Sequence, residues 1–138
     1  MMRIFSLLVL SAWTLFAAGT LALRAASLES LQGAWTPDGA NCEQVFEKSG
    51  NRVHFRDRHA GTTLGMIVSG NKIVGPNGSC VAHRVVPKGD HLSIGLRCSD
   101  AVIFADLSLS LKFVDSTHFV RTDPLFPENT YGYHKCAM

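Results

Sequence analysis

The stretch Cys80-Val81-Ala82-His83-Arg84-Val85-Val86-Pro87-Lys88-Gly89-Asp90-His91-Leu92-Ser93-Ile94-Gly95-Leu96-Arg97-Cys98 carries the clearest fold signal in this 138-residue chain. Two strand-like runs, Cys80 to Val86 and His91 to Cys98, flank the break Pro87-Lys88-Gly89-Asp90. β-Branched and aliphatic runs around a Pro- and Gly-containing break read as a hairpin. Positions 80 and 98 are equidistant from Gly89, so a hairpin centred there sets the two cysteines directly opposite each other. Opposed Cβ atoms on neighbouring strands are close enough for a disulfide. In this register His83 faces Gly95 and His91 faces Pro87.

Pairing Cys80 with Cys98 leaves Cys42 to pair with Cys136, which joins the start of the domain to its end. Four cysteines permit three pairings, and Cys42–Cys80 with Cys98–Cys136 is the rival. None of the four is close in sequence to another, so the paired spacing of a structural zinc site is absent.

Outward from the hairpin the signals are again β. Leu31 to Thr36 reads as a first strand, stopped by Pro37-Asp38-Gly39. Asn41 is placed to cap a two-turn helix over Cys42 to Lys48, with Cys42, Val45 and Phe46 on one face and Gly50 as its stop. Arg52 to Arg56 alternates strictly. Thr62 to Ser69 and Lys72 to Gly75 flank Gly70-Asn71, a two-residue hairpin signal. Val102 to Asp106 continues into Leu107 to Phe113, where apolar and polar residues alternate. His118 to Thr122 and Tyr131 to Cys136 complete the set. Eight or nine short strands at such spacing predict a mainly β fold, a small antiparallel meander barrel with one short N-terminal helix. A β-sandwich is the alternative. Trp35, Phe46, Phe55, Phe104, Phe113 and Phe119 are expected in the core. With so few residues the barrel interior is expected to be filled rather than hollow.

The front of the chain reads as an address. Arg3 precedes an uncharged apolar run from Ile4, which ends in Thr20-Leu21-Ala22 with small residues at the −3 and −1 positions. That is the plan of a secretory signal peptide cleaved after Ala22, with Ala25 as a second possible cut. An uncleaved anchor is the alternative, since the charge-free run from Ile4 to Leu23 is long enough to span a bilayer. The expected organisation is therefore 1–22 signal, 23–30 lead segment and 31–138 one disulfide-stapled β domain, acting in the periplasm or outside the cell. Formal net charge is +2 over the whole chain, too little for a basic nucleic-acid binder. No membrane contact is expected after signal cleavage. Without residues 1–22 the modest core makes covalent staples useful.

No constellation points to catalysis. His54, His59, His83, His91, His118 and His134 are scattered without metal-ligand spacing, and no Gly-x-Ser-x-Gly elbow or phosphate-binding glycine loop occurs. The chain is expected not to be an enzyme and to need no cofactor or metal. Glu43 and Glu47 would share the helix face as solvated carboxylates. Arg52 and Arg56 share a strand face with His54, and Arg58 follows closely. These three arginines are the candidate patch for an acidic partner, set against an ordinary solvated face.

The run Leu31-Gln32-Gly33-Ala34-Trp35, with Cys42 a few residues on, resembles two known openings. One is the Gly-x-Trp that begins the first barrel strand of lipocalins. The other is the opening of the small periplasmic inhibitors of bacterial alkaline metalloproteases. The whole layout also looks like small exported proteobacterial proteins without an assigned role. The resemblance implies structural roles for Gly33 and Trp35. The inhibitor likeness implies that the lead from Leu23 to Ser30, Ser27 and Leu28 included, contacts a protease. That family has one disulfide where this chain implies two, and lacks the helix after the first strand. The expected function is an exported binding module, an inhibitor of a secreted enzyme such as a protease, with a secreted or periplasmic protein as partner. A lipocalin-like carrier of a small apolar ligand is the alternative, and a structural envelope protein is another.

Overall fold

Three glycine turns set the frame of the molecule. Ser49↔Arg52, Ser69↔Lys72 and Lys88↔His91 are the last paired residues of three hairpins. Their connections are Gly50-Asn51, Gly70-Asn71 and Gly89-Asp90. In each, the glycine has φ near +60° and the residue after it does not have positive φ. A first central glycine at positive φ is the type II′ arrangement, whose twist matches that of the strands it joins.

The computed structural model describes residues 26–58, 64–100 and 104–138. The expected signal segment, the rest of the lead and His59 lie outside them. The described chain runs β1 (Gly33–Pro37), α1 (Cys42–Val45), β2 (Phe46–Ser49), β3 (Arg52–Phe55), β4 (Met66–Ser69), β5 (Lys72–Val74), β6 (Ser79–Lys88), β7 (His91–Ser99), β8 (Phe104–Phe113), β9 (His118–Thr122) and β10 (Thr130–Lys135). Eight strands form a closed antiparallel barrel in the order β1-β10-β9-β8-β7-β6-β5-β4. The meander from β4 to β10 is closed by β1, which sits between β10 and β4. The remaining two strands, β2 and β3, form a separate hairpin.

That hairpin corrects the expected helix. Asn41 does cap α1, its side chain accepting from the Glu43 N–H at 2.8 Å. The helix ends at Val45, and Phe46 to Ser49 pair with Arg52 to Phe55. A short helix gains few hydrogen bonds for its ordering cost. The hairpin gains a full ladder and stacks Phe46 on Phe55 with centroids 5.1 Å apart. Gly50 is therefore a hairpin turn rather than a helix stop, and Glu47 lies on a strand.

The barrel holds two cores. Inside it, Trp35, Leu92, Ile94, Leu111 and Phe119 are fully buried. Trp35 donates its indole N–H to the Leu31 carbonyl at 2.8 Å and packs against Phe119 at 4.8 Å. Gly33, at φ +113°, lies against Lys135, whose ammonium sits over the Trp35 ring at 5.5 Å. Outside the barrel, Ala34, Phe46, Phe55 and Cys136 form a second cluster beneath the β2–β3 hairpin.

Both expected disulfides are present, Cys80–Cys98 and Cys42–Cys136. Each is worth roughly 2–4 kcal/mol. They suggest an oxidising, non-cytoplasmic environment. Cys42–Cys136 fastens α1 to the end of β10. Cys80 and Cys98 are directly paired, as the equidistance argument requires. The turn, however, is centred between Gly89 and Asp90. One extra residue must be absorbed, and the register shifts between Ala82 and Arg84. His83 is the bulge. The expected partners move accordingly: Arg84 pairs with Gly95, and His91 pairs with Lys88 instead of Pro87.

Candidate functional site

The two ends of the barrel differ. At the lower end the lead folds back over the opening. The Ala26 N–H donates to the Gly89 carbonyl, and Ala26 and Leu31 are buried in the inner core with Leu28 packed against it. Gln32 locks this turn in place. Its amide donates to the carbonyls of Leu28 and Gly70 at 3.0 and 2.9 Å and accepts from the Gly70 N–H at 2.7 Å. Ser27 is half-buried and bonds Ser30 through its hydroxyl.

The upper end is open among the described residues. Directly paired residues share a face, so register gives the inner wall: Val68, Ile73, Cys80, Cys98 and Ala105 run round it in one row. Ala82, Leu96 and Leu107 form the next row down. Apart from Val68 and Ala82, these residues line a cavity of about 530 Å³ that also reaches Met66, Leu109, Tyr133 and Arg121. That volume is within the range of small-ligand pockets, roughly 300–1,000 Å³. Among the described residues the interior is filled below and holds this cavity above, where a filled barrel was expected. Leu107 is on an inner-wall position yet 54% exposed, because the wall beside it is incomplete.

The gap lies between β8 and β9. These strands share only four residue pairs, Ser110↔Thr122 to Phe113↔Phe119, whereas β7 and β8 share nine. The first half of β8 extends past the end of β9. Arg121, paired with Leu111 and Tyr131, is on the inner face at this seam. It has no ion pair or hydrogen bond among the described residues. The cavity therefore combines a mostly apolar wall with the exposed Arg121 at its seam and Asp100 among the polar residues of its rim.

The arginine patch is elsewhere. Arg52 and His54 are exposed on β3, as its alternation predicts, with Phe55 turned inward, and Arg56 is exposed just past its end. Glu47 stands among them, 2.9 Å from His54 Nε2 and 3.6 Å from Arg56. Arg56 also donates to the Glu43 carbonyl, and Arg58 lies over the Phe55 ring at 5.8 Å. Ser27 and Leu28 are at the lower end beside the β6–β7 turn, so the structure does not join them to the arginines. No group of three or more His, Cys, Asp or Glu able to hold a metal occurs among the described residues.

Two features of the mouth escaped sequence reading. Phe104, expected in the core, is 84% exposed beside the cavity. Arg121 gave no signal, because an alternating strand does not reveal which residue faces a hollow.

Comparison with known proteins finds no matching family model, curated sequence or solved structure. What the chain shows is a generic small antiparallel β-barrel with one short helix.

Proposed function

We propose that this protein is an exported, non-enzymatic binding module that takes an apolar group of its partner into the upper mouth of the barrel. The observation that carries the reading is the 530 Å³ cavity with an apolar wall and Arg121 at its seam. Apolar walls with a few placed polar groups are the usual composition of binding pockets. An anionic group beside the apolar one would meet Arg121. The charge-free run from Ile4 and the two disulfides support export, with residues 1–22 as the signal and the periplasm or cell exterior as the site of action. A carrier of a free small ligand and an inhibitor seated on a secreted enzyme would both use this mouth.

The probe is anilinonaphthalene sulfonate, which joins an apolar ring system to one anion. Saturable binding at one site with enhanced fluorescence is expected. Leu107→Trp, which fills the mouth, should remove it, and Arg121→Ala should weaken it. Binding indifferent to both substitutions would overturn the mouth as the site.

A further inference from the structure

The backbone on the free half of β8 can be read from two hydrogen bonds. The Phe113 N–H donates to Asp90 at the start of β7, and the Val114 N–H donates to His118 at the start of β9. Backbone groups alternate sides along a strand. Odd-numbered residues of β8 therefore bond β7, and even-numbered ones face the β9 side. Beyond Ser110 there is no β9 to receive them. The N–H and C=O groups of Phe104, Asp106 and Ser108 point into the gap, without a partner among the described residues. The side chains of Ala105, Leu107 and Leu109, between them, face the cavity.

We propose that this edge takes an extended segment of a partner protein as an added strand, whose alternate apolar side chains enter the mouth. The inference rests on the reading of the mouth as the binding site and names its occupant. Strand addition draws affinity from main-chain hydrogen bonds and specificity from pockets for every second side chain. Both are present side by side here. Residues of the added strand that bond β8 turn their side chains outward, level with Phe104, Asp106 and Ser108. The residues between them turn inward, level with Ala105 and Leu107.

Charge selects the partner. Asp106 faces outward on the edge, with Arg97 at 3.7 Å on its β7 side and no ion-pair partner on the other among the described residues. A lysine or arginine at the opposed outward position complements it. A second copy of this chain does not. A two-fold antiparallel pairing that used all three free residues would set Asp106 against Asp106, and like charges directly opposed destabilise. The occupant is thus an extended segment with apolar residues at alternate positions and a basic residue between two of them. The exposed rings of Phe104 and, on the β9–β10 loop that leaves the seam, Phe126 would flank it.

The test is a titration of the ¹⁵N-labelled oxidised protein with a blocked seven-residue peptide. It carries valine at its second, fourth and sixth positions, lysine at its third and threonine elsewhere. Expected are shifts of the Phe104, Asp106 and Ser108 amides. N-methylation of the third and fifth residues removes outward-side backbone donors without touching the valines. Ser108→Pro, which removes one donor, should weaken binding by up to about tenfold, and the doubly methylated peptide, which loses two, should be weakened further. Glutamate in place of the lysine should also weaken it. Equal binding of the methylated peptide would overturn strand addition. So would unmoved amides while anilinonaphthalene sulfonate still enters the mouth, or a free protein already dimeric through this edge. If the sulfonate probe also fails, the mouth reading falls with the inference.

Discussion

The long β6–β7–β8 sheet has two free edges, and they are built differently. On one side, β6 outruns β5, whose pairing stops at Val81 with one further bond from the Ala82 N–H to the Asn71 carbonyl. Residues 83–88 form that edge. It carries a bulge at His83, a proline at position 87 and the cations Arg84 and Lys88. The β6–β7 register and the β8 parity place Val85 and Pro87 facing outward from the sheet, so Val85 alone between them offers both a donor and an acceptor. Bulges, prolines and charges are the devices by which proteins blunt sheet edges. On the other side, the free half of β8 has no bulge or proline and a single charge, Asp106, and three residues offer donor and acceptor together. The blunted edge lies at the end closed by the lead segment. The bare edge lies at the open end, against the cavity. An edge left bare beside a hollow is open to the added strand proposed above, whereas a bulge and a proline discourage edge-to-edge pairing.

The contrast can be broken most severely from the β6 side. Val86 bonds β7 and Val85 faces outward, so proline at the two positions should differ. Val86→Pro should lose on the order of 3 kcal/mol by urea unfolding, Val85→Pro far less. Similar losses at both would refute the assignment of the edge.

Removing the guards tests their purpose. Deletion of His83 together with Pro87→Val leaves Cys80 opposite Cys98 in a regular ladder and gives β6 a flat edge. Analytical ultracentrifugation should then show concentration-dependent association that the parent lacks. A double variant that stays monomeric would mean the bulge and proline serve only the register.

On the bare edge, Ser108→Pro removes an N–H that has no partner among the described residues. Its stability cost should stay below about 1 kcal/mol, the scale of one net hydrogen bond. A larger loss would show that the β8 edge is already paired.

The smallest effect lies in the β8–β9 turn, below both edges. Asp115 accepts from the Thr117 backbone N–H at 2.7 Å, from its hydroxyl at 2.8 Å, and from His118 at 3.3 Å. These bonds, the backbone one foremost, hold its carboxyl below the usual aspartate range. A lowered folded value means the contribution is complete above the ordinary aspartate pKa and lost as pH falls through the lowered one. An NMR titration should place the Asp115 midpoint below that of an unstructured aspartate, with the Thr117 amide moving in step. An ordinary midpoint would discount the turn bonds.

Much of the fold was legible because its signals are local. The alternation of Leu107 to Phe113 and the position of Cys80 relative to Cys98 needed no tertiary information. The equidistance argument survived a misplaced turn centre only because the bulge at His83 restores the register. The misread helix shows the limit of periodicity. Cys42, Val45 and Phe46 suit a helix face, yet Gly50-Asn51 is the same dipeptide as Gly70-Asn71, which was read as a hairpin. The decisive term was the Phe46–Phe55 contact, invisible until β3 folds back. Phe104 misled for another reason: it shares the outward parity of Asp106 and Ser108, while Ala105, Leu107 and Leu109 take the inner wall.

What the sequence determined by itself was the strands of the barrel, the Gly70-Asn71 turn and the cross-strand cysteine pair. Each follows from backbone alternation and turn chemistry within a few residues. Whether the barrel is hollow, which end is plugged and which edge is left bare were decided only by the tertiary structure. They depend on how far each strand outruns its neighbour, and that length mismatch is a relation between segments far apart in the chain.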